Sequence, residues 1–201
     1  NQAIDSVKAS LTQLTNNPQK DEIIKLSFGV NDSESVADEL LNRFKEQDFT
    51  NTPNIELISS QSFNGAYARE SNTIYLSQEF IVKNLDNISV IQGVLLEEFG
   101  HYLDAQINVE DAAGDEGDIF SRLVRGDDLS AEELALLKEE DDSGFIFVDE
   151  TKLAIEKNIA FRAQELVKSH EVKGDYTNLI TGDFNGDGRD DFIRQEKGYW
   201  D

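Results

Sequence analysis

With 201 residues, 38% of them hydrophobic and 9% aromatic, the chain has the apolar material for one sizeable core plus an appendage. Its formal net charge of −23, from 41 acidic and 18 basic residues, repels nucleic-acid phosphates and anionic membrane surfaces. The absence of cysteine excludes thiolate metal sites, cysteine nucleophiles and disulfides, and two histidines, His101 and His170, cannot build a three-histidine centre.

The acidic excess suits a divalent cation, a basic substrate or a secreted calcium-binding protein, although solubility alone would account for it. No apolar run approaches the roughly 20 residues of a membrane span, so membrane insertion is not expected. The chain contains no methionine, and is expected to be a mature product or a fragment whose secretory leader has already been removed.

Residues 1–50 read as helical. IDSVKASLTQL spaces Ile4, Val7, Leu11 and Leu14 for one helix face. SESVADELLNRFKEQ does the same with Val36, Leu40, Leu41 and Phe44, with Ser33 or Ser35 as the cap. NIELISS reads as a short strand. FNGAYARESNTIYLS gives two extended runs joined by Glu70-Ser71-Asn72. Ser77 and Asn87 are candidate caps for the segments after them. GVLLEEFGHYLDAQIN is the strongest helical run, with Val94, Leu95, Phe99, Tyr102 and Leu103 facing a core. DAAGDEGD is a polar turn, and IFSRLVRG a short helix stopping near Gly126. LSAEELALLKEE is another helix, capped by a Ser130–Glu133 box. FIFVDETKLAIE predicts a hairpin turning near Asp149-Glu150. NIAFRAQELVKSH predicts a strand and then a helix. The expected fold class is α+β. The expected parts are a helical segment over 1–50, a main domain over 51–172 and a small β unit over 173–201.

Within the strongest helix lies LLEEFGHYLD. Residues four apart share a helix face, so Glu97 and His101 point the same way, and Asp104 and Asn108 extend the stripe. Glu98 sits about 100° round from Glu97. This is the geometry in which zinc peptidases hold zinc at i and i+4 and use the intervening glutamate to polarise water. Zinc accepts carboxylate oxygen, so Glu97 could ligate, at the cost of added negative charge and a weaker Lewis acid. A third ligand must come from elsewhere. Glu116 in GDEGDIF is the first candidate, Asp118 the second and His170 the third. A solvated face with a local Glu–His pair would show the same spacing. Gly100, costly in mid-helix, argues for close packing there.

The order GAYARESNTIYLS, EEFGHYLD, GDEGDIF is similar to that of the zincin metallopeptidases. EEFGHYLD most resembles the H-E-F-G-H-x-x-D version of anthrax lethal factor-like peptidases. The run LLEEFGHYLDAQIN…GDEGDIF looks like a domain of large secreted cyanobacterial calcium-binding proteins that also carries Glu at the first motif position. The resemblance spans roughly residues 54–165. It implies an edge strand beside the substrate, with His101 and Glu116 as zinc ligands. It implies Glu98 as the general base, and Glu97 in the place of a histidine ligand. Asp104 would orient the site from behind, and Tyr67, Tyr75 or Tyr102 would stabilise an oxyanion.

In the tail, Asp183-x-Asn185-x-Asp187-Gly188-x-x-Asp191 alternates oxygen donors and then turns sharply at glycine. Hard calcium takes such a cage, with the Arg189 backbone carbonyl as a further ligand. The loop lies between strand-like TGDF and DFIRQ, and resembles an FG-GAP (integrin or VCBS type) repeat. One such unit cannot bury a propeller core alone. The expected function is therefore a secreted zinc metallopeptidase, acting on peptide or protein and self-processing in one version, with a calcium-binding appendage. The alternative is an inactive zincin-fold module for calcium-dependent binding or surface assembly.

Overall fold

The computed structural model describes residues 2–29, 34–60, 62–109, 112, 114–159, 178–182, 191–196 and 199–200. The chain divides into two compact units, Asn1–Ile159 and Ala160–Asp201. The predicted helix after Ile159, His170 and the boundary expected at 172/173 lie outside the described residues.

Helix α1 (Gln2–Leu14) buries Val7, Leu11 and Leu14, as the spacing requires. Helix α2 (Lys20–Phe28) buries Ile23 and Phe28. Helix α3 (Glu34–Lys45) starts one residue before Ser35, which therefore lies inside it and is not its cap; Ser33 lies outside the described residues. Its stripe is Ala37, Leu40, Leu41 and Phe44, a regular i, i+3, i+4, i+7 set. Val36, expected in that stripe, is 37% exposed because it falls one position out of phase.

The main sheet has five strands among the described residues, in the order β1-β3-β2-β5-β4. They are β1 (Asn54–Ile58), β2 (Phe63–Ala68), β3 (Thr73–Ser77), β4 (Ser143–Val148) and β5 (Thr151–Ile159). Strand β1 runs parallel to β3, and the other pairs are antiparallel. Between the two halves of the sheet the chain forms α4 (Gln78–Lys83), α5 (Ile88–Ile107), α6 (Glu116–Arg125) and α7 (Ala131–Leu137). The seven helices of the described residues and this mixed sheet make the unit α+β.

Local chemistry sets several boundaries. Ser77 Oγ accepts from the Phe80 N–H at 3.1 Å and starts α4. Ser130 and Glu133 form the reciprocal capping box of α7. Asn87 stands at the start of α5 but makes no capping bond; its side chain accepts from Ser89 Oγ instead. Gly126, at φ 87°, ends α6 in the left-handed region that glycine tolerates. Asp149 and Glu150 have φ 47° and 66°, the pair of positive values that a two-residue hairpin needs between β4 and β5.

The sheet has two covered faces. Tyr67, Ile74 and Leu76 join α1, α3 and α5 in the large core. Ala66, Ala68, Tyr75 and Ile155 form a small core on the other face. One expectation fails here. The segment GAYARESNTIYLS, expected to supply the edge beside a substrate, forms the interior strands β2 and β3, because β5 adds to the free side of β2. The edges are β1 and β4. Among the described residues no helix is long and apolar enough to cross a membrane.

In the second unit, β6 (Asn178–Gly182), β7 (Asp191–Glu196) and β8 (Tyr199–Trp200) form an antiparallel sheet in that order. Asp183, Asn185, Asp187 and Arg189 lie outside the described residues. Asp191 pairs with Gly182 at the end of the β6–β7 ladder, so these strands flank the predicted calcium loop.

Candidate metal centre

Helix α5 is buried all round from Gly93 to Asp104. One side packs Leu95, Leu96, Phe99 and Leu103 into the large core. The other side carries Glu97, Glu98, His101 and Asp104 into the interior. The helical spacing thus delivers its stripe, but to a closed site rather than to solvent.

Two glycines set how near α6 comes. A Cβ on Gly100 would stand 2.7 Å from the Gly117 Cα, and a Cβ on Gly117 would stand 2.6 Å from the His101 ring. Neither position can carry a side chain without moving a helix or the imidazole. The crossing brings the start of α6 against His101. Asp115 caps that helix, accepting from the Asp118 N–H at 2.6 Å, and Glu116 comes next in the chain.

His101 has no exposed surface and is surrounded by carboxylates. Its Nδ1 donates to Glu116 Oε1 at 2.7 Å. Glu156 Oε2 of β5 lies 3.1 Å from the same nitrogen, and Asp142 Oδ2 lies 3.5 Å from Nε2. Two sets of potential ligands meet at this histidine, each with its atoms within 4.8 Å of one another: Glu97, His101 and Asp115, and His101, Glu116 and Glu156. Glu97 Oε2 accepts from Asn158 Nδ2 at 2.7 Å, and Asn158 Oδ1 accepts from Asn64 Nδ2 at 2.7 Å.

The electrostatics follow from burial and crowding. Burial pushes Glu98 well above the usual carboxylate range; His101 draws it down, and neighbouring Glu97 pushes it up again. Burial alone would lower His101, but Glu116 and Glu156 outweigh it and hold the imidazole well above its ordinary value. Asp142 is pushed up to about 7, chiefly by burial, against the pull of His101. Asp118 rises to about 7 through burial and the Glu97 charge. Both Glu98 oxygens, His101 Nε2, Glu116 Oε2 and Asp142 Oδ2 are buried without a hydrogen bond of regular geometry.

That donor set fits a divalent metal. Imidazole nitrogen and carboxylate oxygen are both zinc ligands, and a cation would neutralise carboxylates that now have one histidine among them. A histidine holding metal on one nitrogen and a carboxylate on the other is the common arrangement.

Of the residues proposed from sequence, Glu97, Glu98, His101 and Glu116 come together here. Glu97 and Glu116 fall in different ligand sets that share His101. Asp118 belongs to neither set; Asp115, three residues earlier, does. Asp104 does not touch the imidazole. Its oxygens accept from Asn108 Nδ2 at 2.6 Å and from the Ala112 N–H at 3.3 Å, so it braces the end of α5 against the following loop. Glu116 orients the ring instead. The tyrosines are engaged elsewhere. Tyr67 donates to Asn72 Oδ1 and Tyr102 to the Asn51 carbonyl, while Tyr75 packs in the small core on the opposite face of the sheet.

Asp115, Asp142, Glu156 and Asn158 escaped sequence reading. A period-two pattern puts Glu156 and Asn158 on one face of a strand, but does not say that this face is buried. Comparisons with protein-family models, curated proteins and solved structures give no match to this chain.

Proposed function

We propose that the chain carries a zinc-dependent peptidase centre of zincin type. The observation that carries this reading is Glu98: fully buried beside Glu97 and His101, with neither oxygen in a hydrogen bond of regular geometry and only the imidazole and the Asn158 backbone N–H near enough to favour its charged form. Each such unsatisfied buried group costs about 1–3 kcal/mol, and more when charged, which an ordinary packing helix would shed. A bound zinc would supply Lewis acidity for hydrolysis of a peptide bond. His101 would hold it, with carboxylate oxygens from Glu116 on α6 and Glu156 on β5, while Glu97 stands in the second set that shares the imidazole. Glu98 is the proton carrier. Burial raises its pKa, which favours its taking up a proton during the reaction. Glu97 adds negative charge where an imidazole would be neutral, so slow turnover is expected.

Elemental analysis of protein purified without chelator tests the metal. About one zinc per chain is expected, lost in His101→Ala. Calcium alone, unchanged in that variant, would sink the reading. Cleavage of a broad peptide library should vanish in Glu98→Gln.

A second reading has its own observation. Glu98 and His101 have no exposed surface, so no substrate reaches them in this conformation. A non-catalytic module would be built this way. It predicts calcium-dependent melting, no dependence on zinc and no cleavage of any peptide.

The 183–191 loop, between β6 and β7, would take calcium and make this a secreted protein with a calcium-dependent appendage. Calcium should then raise the melting temperature, and Asp187→Ala should abolish that rise.

A further inference from the structure

The sealed centre has one removable wall. Strand β5 lies antiparallel on β2 with Tyr67 opposite Glu156, Ala66 opposite Lys157 and Gly65 opposite Asn158. Side chains two apart share a strand face, and here Glu156 and Asn158 both point at α5. Gly65 lets the β2 backbone pass directly over the catalytic glutamate, since a Cβ there would stand 2.5 Å from Glu98 Oε1. A peptide entering in extended form would add to this side of β2, the usual way a strand edge binds peptide. That place is taken by β5.

On its outer face the hairpin packs Ile155, with the partly buried Ile146, Val148 and Leu153, into the small core. Its inner face is held by polar contacts, and Phe145 and Phe147 of β4, paired with Ala154 and Lys152 on that face, are 57% and 64% exposed. On its inner face Asn158 bridges Asn64 and Glu97. The buried Glu156 Oε2 makes no hydrogen bond of regular geometry, although it lies 3.1 Å from His101 Nδ1. Without a cation, Glu156 is one more carboxylate beside Glu116 and Asp142, and repels them. With a cation between them the same oxygen becomes a ligand.

Resting on the peptidase reading above, we propose that the β4–β5 hairpin is a built-in strap over the centre, latched to the metal by Glu156 and occupying the strand position that a peptide substrate must take. Substrate enters when Glu156 leaves the metal and β5 leaves β2. Metal loading and strap closure are therefore coupled, and the resting protein is self-inhibited.

Two experiments on the full chain test this. The first is hydrogen exchange in chelator and in zinc. In the wild-type protein zinc should slow exchange about tenfold across 151–159 and also in α5 and α6. In Glu156→Gln the protection of α5 and α6 should remain and that of the hairpin should be lost. Equal hairpin protection in both proteins overturns the latch. No protection anywhere, in either protein, overturns the metal centre itself and the latch with it. The second experiment pins the strap without touching the site. The chain has no cysteine, so Ala66→Cys with Lys157→Cys, a directly paired position, adds a single disulfide between β2 and β5. The oxidised protein should cleave peptide at least about tenfold more slowly than the same protein reduced. Equal rates in the two states overturn the strap. Cleavage in neither state, with zinc bound, removes the peptidase reading and its substrate strap, while the exchange result still decides whether Glu156 latches the hairpin.

Discussion

The two sides of helix α5 are built to opposite standards. Toward α1 and α3, Leu95, Leu96, Phe99 and Leu103 enter a continuous apolar core in which Phe28 and Phe120 stand 5.4 Å apart, ring to ring. Toward α6 and β5 six acidic side chains crowd one histidine, and oxygens of Glu98, Glu116, Glu156 and Asp142 are buried without a hydrogen bond of regular geometry. The first side is optimised for burial. The second is a local cost that the first supports, the pattern expected where a site needs charges held apart from water. Proteins that keep such groups do so against their own stability.

The largest effect is expected on the apolar side. Phe120→Ala removes a fully buried ring and should cost about 4 kcal/mol, read as a lower midpoint in urea unfolding. Loss below about 1 kcal/mol would mean that this core is not the support described. Gly100→Ala comes next. Helix propensity favours alanine by about 1 kcal/mol, but the Gly117 backbone is in the way, so a net loss of about 2 kcal/mol is expected. A gain would show that α5 and α6 can separate freely.

On the polar side the sign should reverse. Glu98→Gln replaces a buried ionisable carboxyl with a neutral isostere and should stabilise the chelated protein by about 1 kcal/mol at alkaline pH, where the carboxyl must carry charge, while ending peptide cleavage. Destabilisation would make Glu98 a structural residue. The smallest effect concerns pH. Burial raises Asp104 to about 6 from 3.8, so the folded state holds that proton more tightly than the unfolded chain. The resulting stability is present below about pH 4 and is lost as pH rises past 6. Asp118 and Asp142, each raised to about 7, act in the same direction. The chelated protein should therefore melt higher at pH 5 than at pH 8, and Asp104→Asn should remove part of that difference. The lowered carboxyls of Glu79, Glu133 and Asp48 work the other way only in more acid solution. A melting temperature that climbs from pH 5 to pH 8 would contradict the crowding of buried carboxylates.

What could be seen in the sequence was what depends on neighbours along the chain. The i, i+4 relation of Glu97 and His101, the Ser130–Glu133 box, the Asp149-Glu150 turn and the packing role of Gly100 are local, and each appears as expected. Glu116 was reachable because it starts the helix that Gly117 brings against α5. Asn158 meets Asn64 across 94 positions, and Glu156 reaches His101 only because β5 pairs with β2. No short-range pattern carries that pairing. The same long-range contact turned an expected edge strand into an interior one. The sequence did not choose among the tyrosines for a related reason. A hydroxyl can be placed on a face from spacing, but the partner it finds there depends on the whole fold.

The glycine pair at the α5–α6 crossing has a consequence for ancestry. Gly100 meets Gly117 backbone to backbone, and Gly117 meets the His101 ring. A methyl group at either position cannot be absorbed by trimming a neighbouring side chain, because the obstacle is main chain or the histidine itself. The two positions should therefore vary together. Descendants that keep the site should keep both glycines, even as the leucines around them interchange. A lineage that gives up one glycine has released the histidine from its cage, and the surrounding acids should then drift toward ordinary surface or core residues.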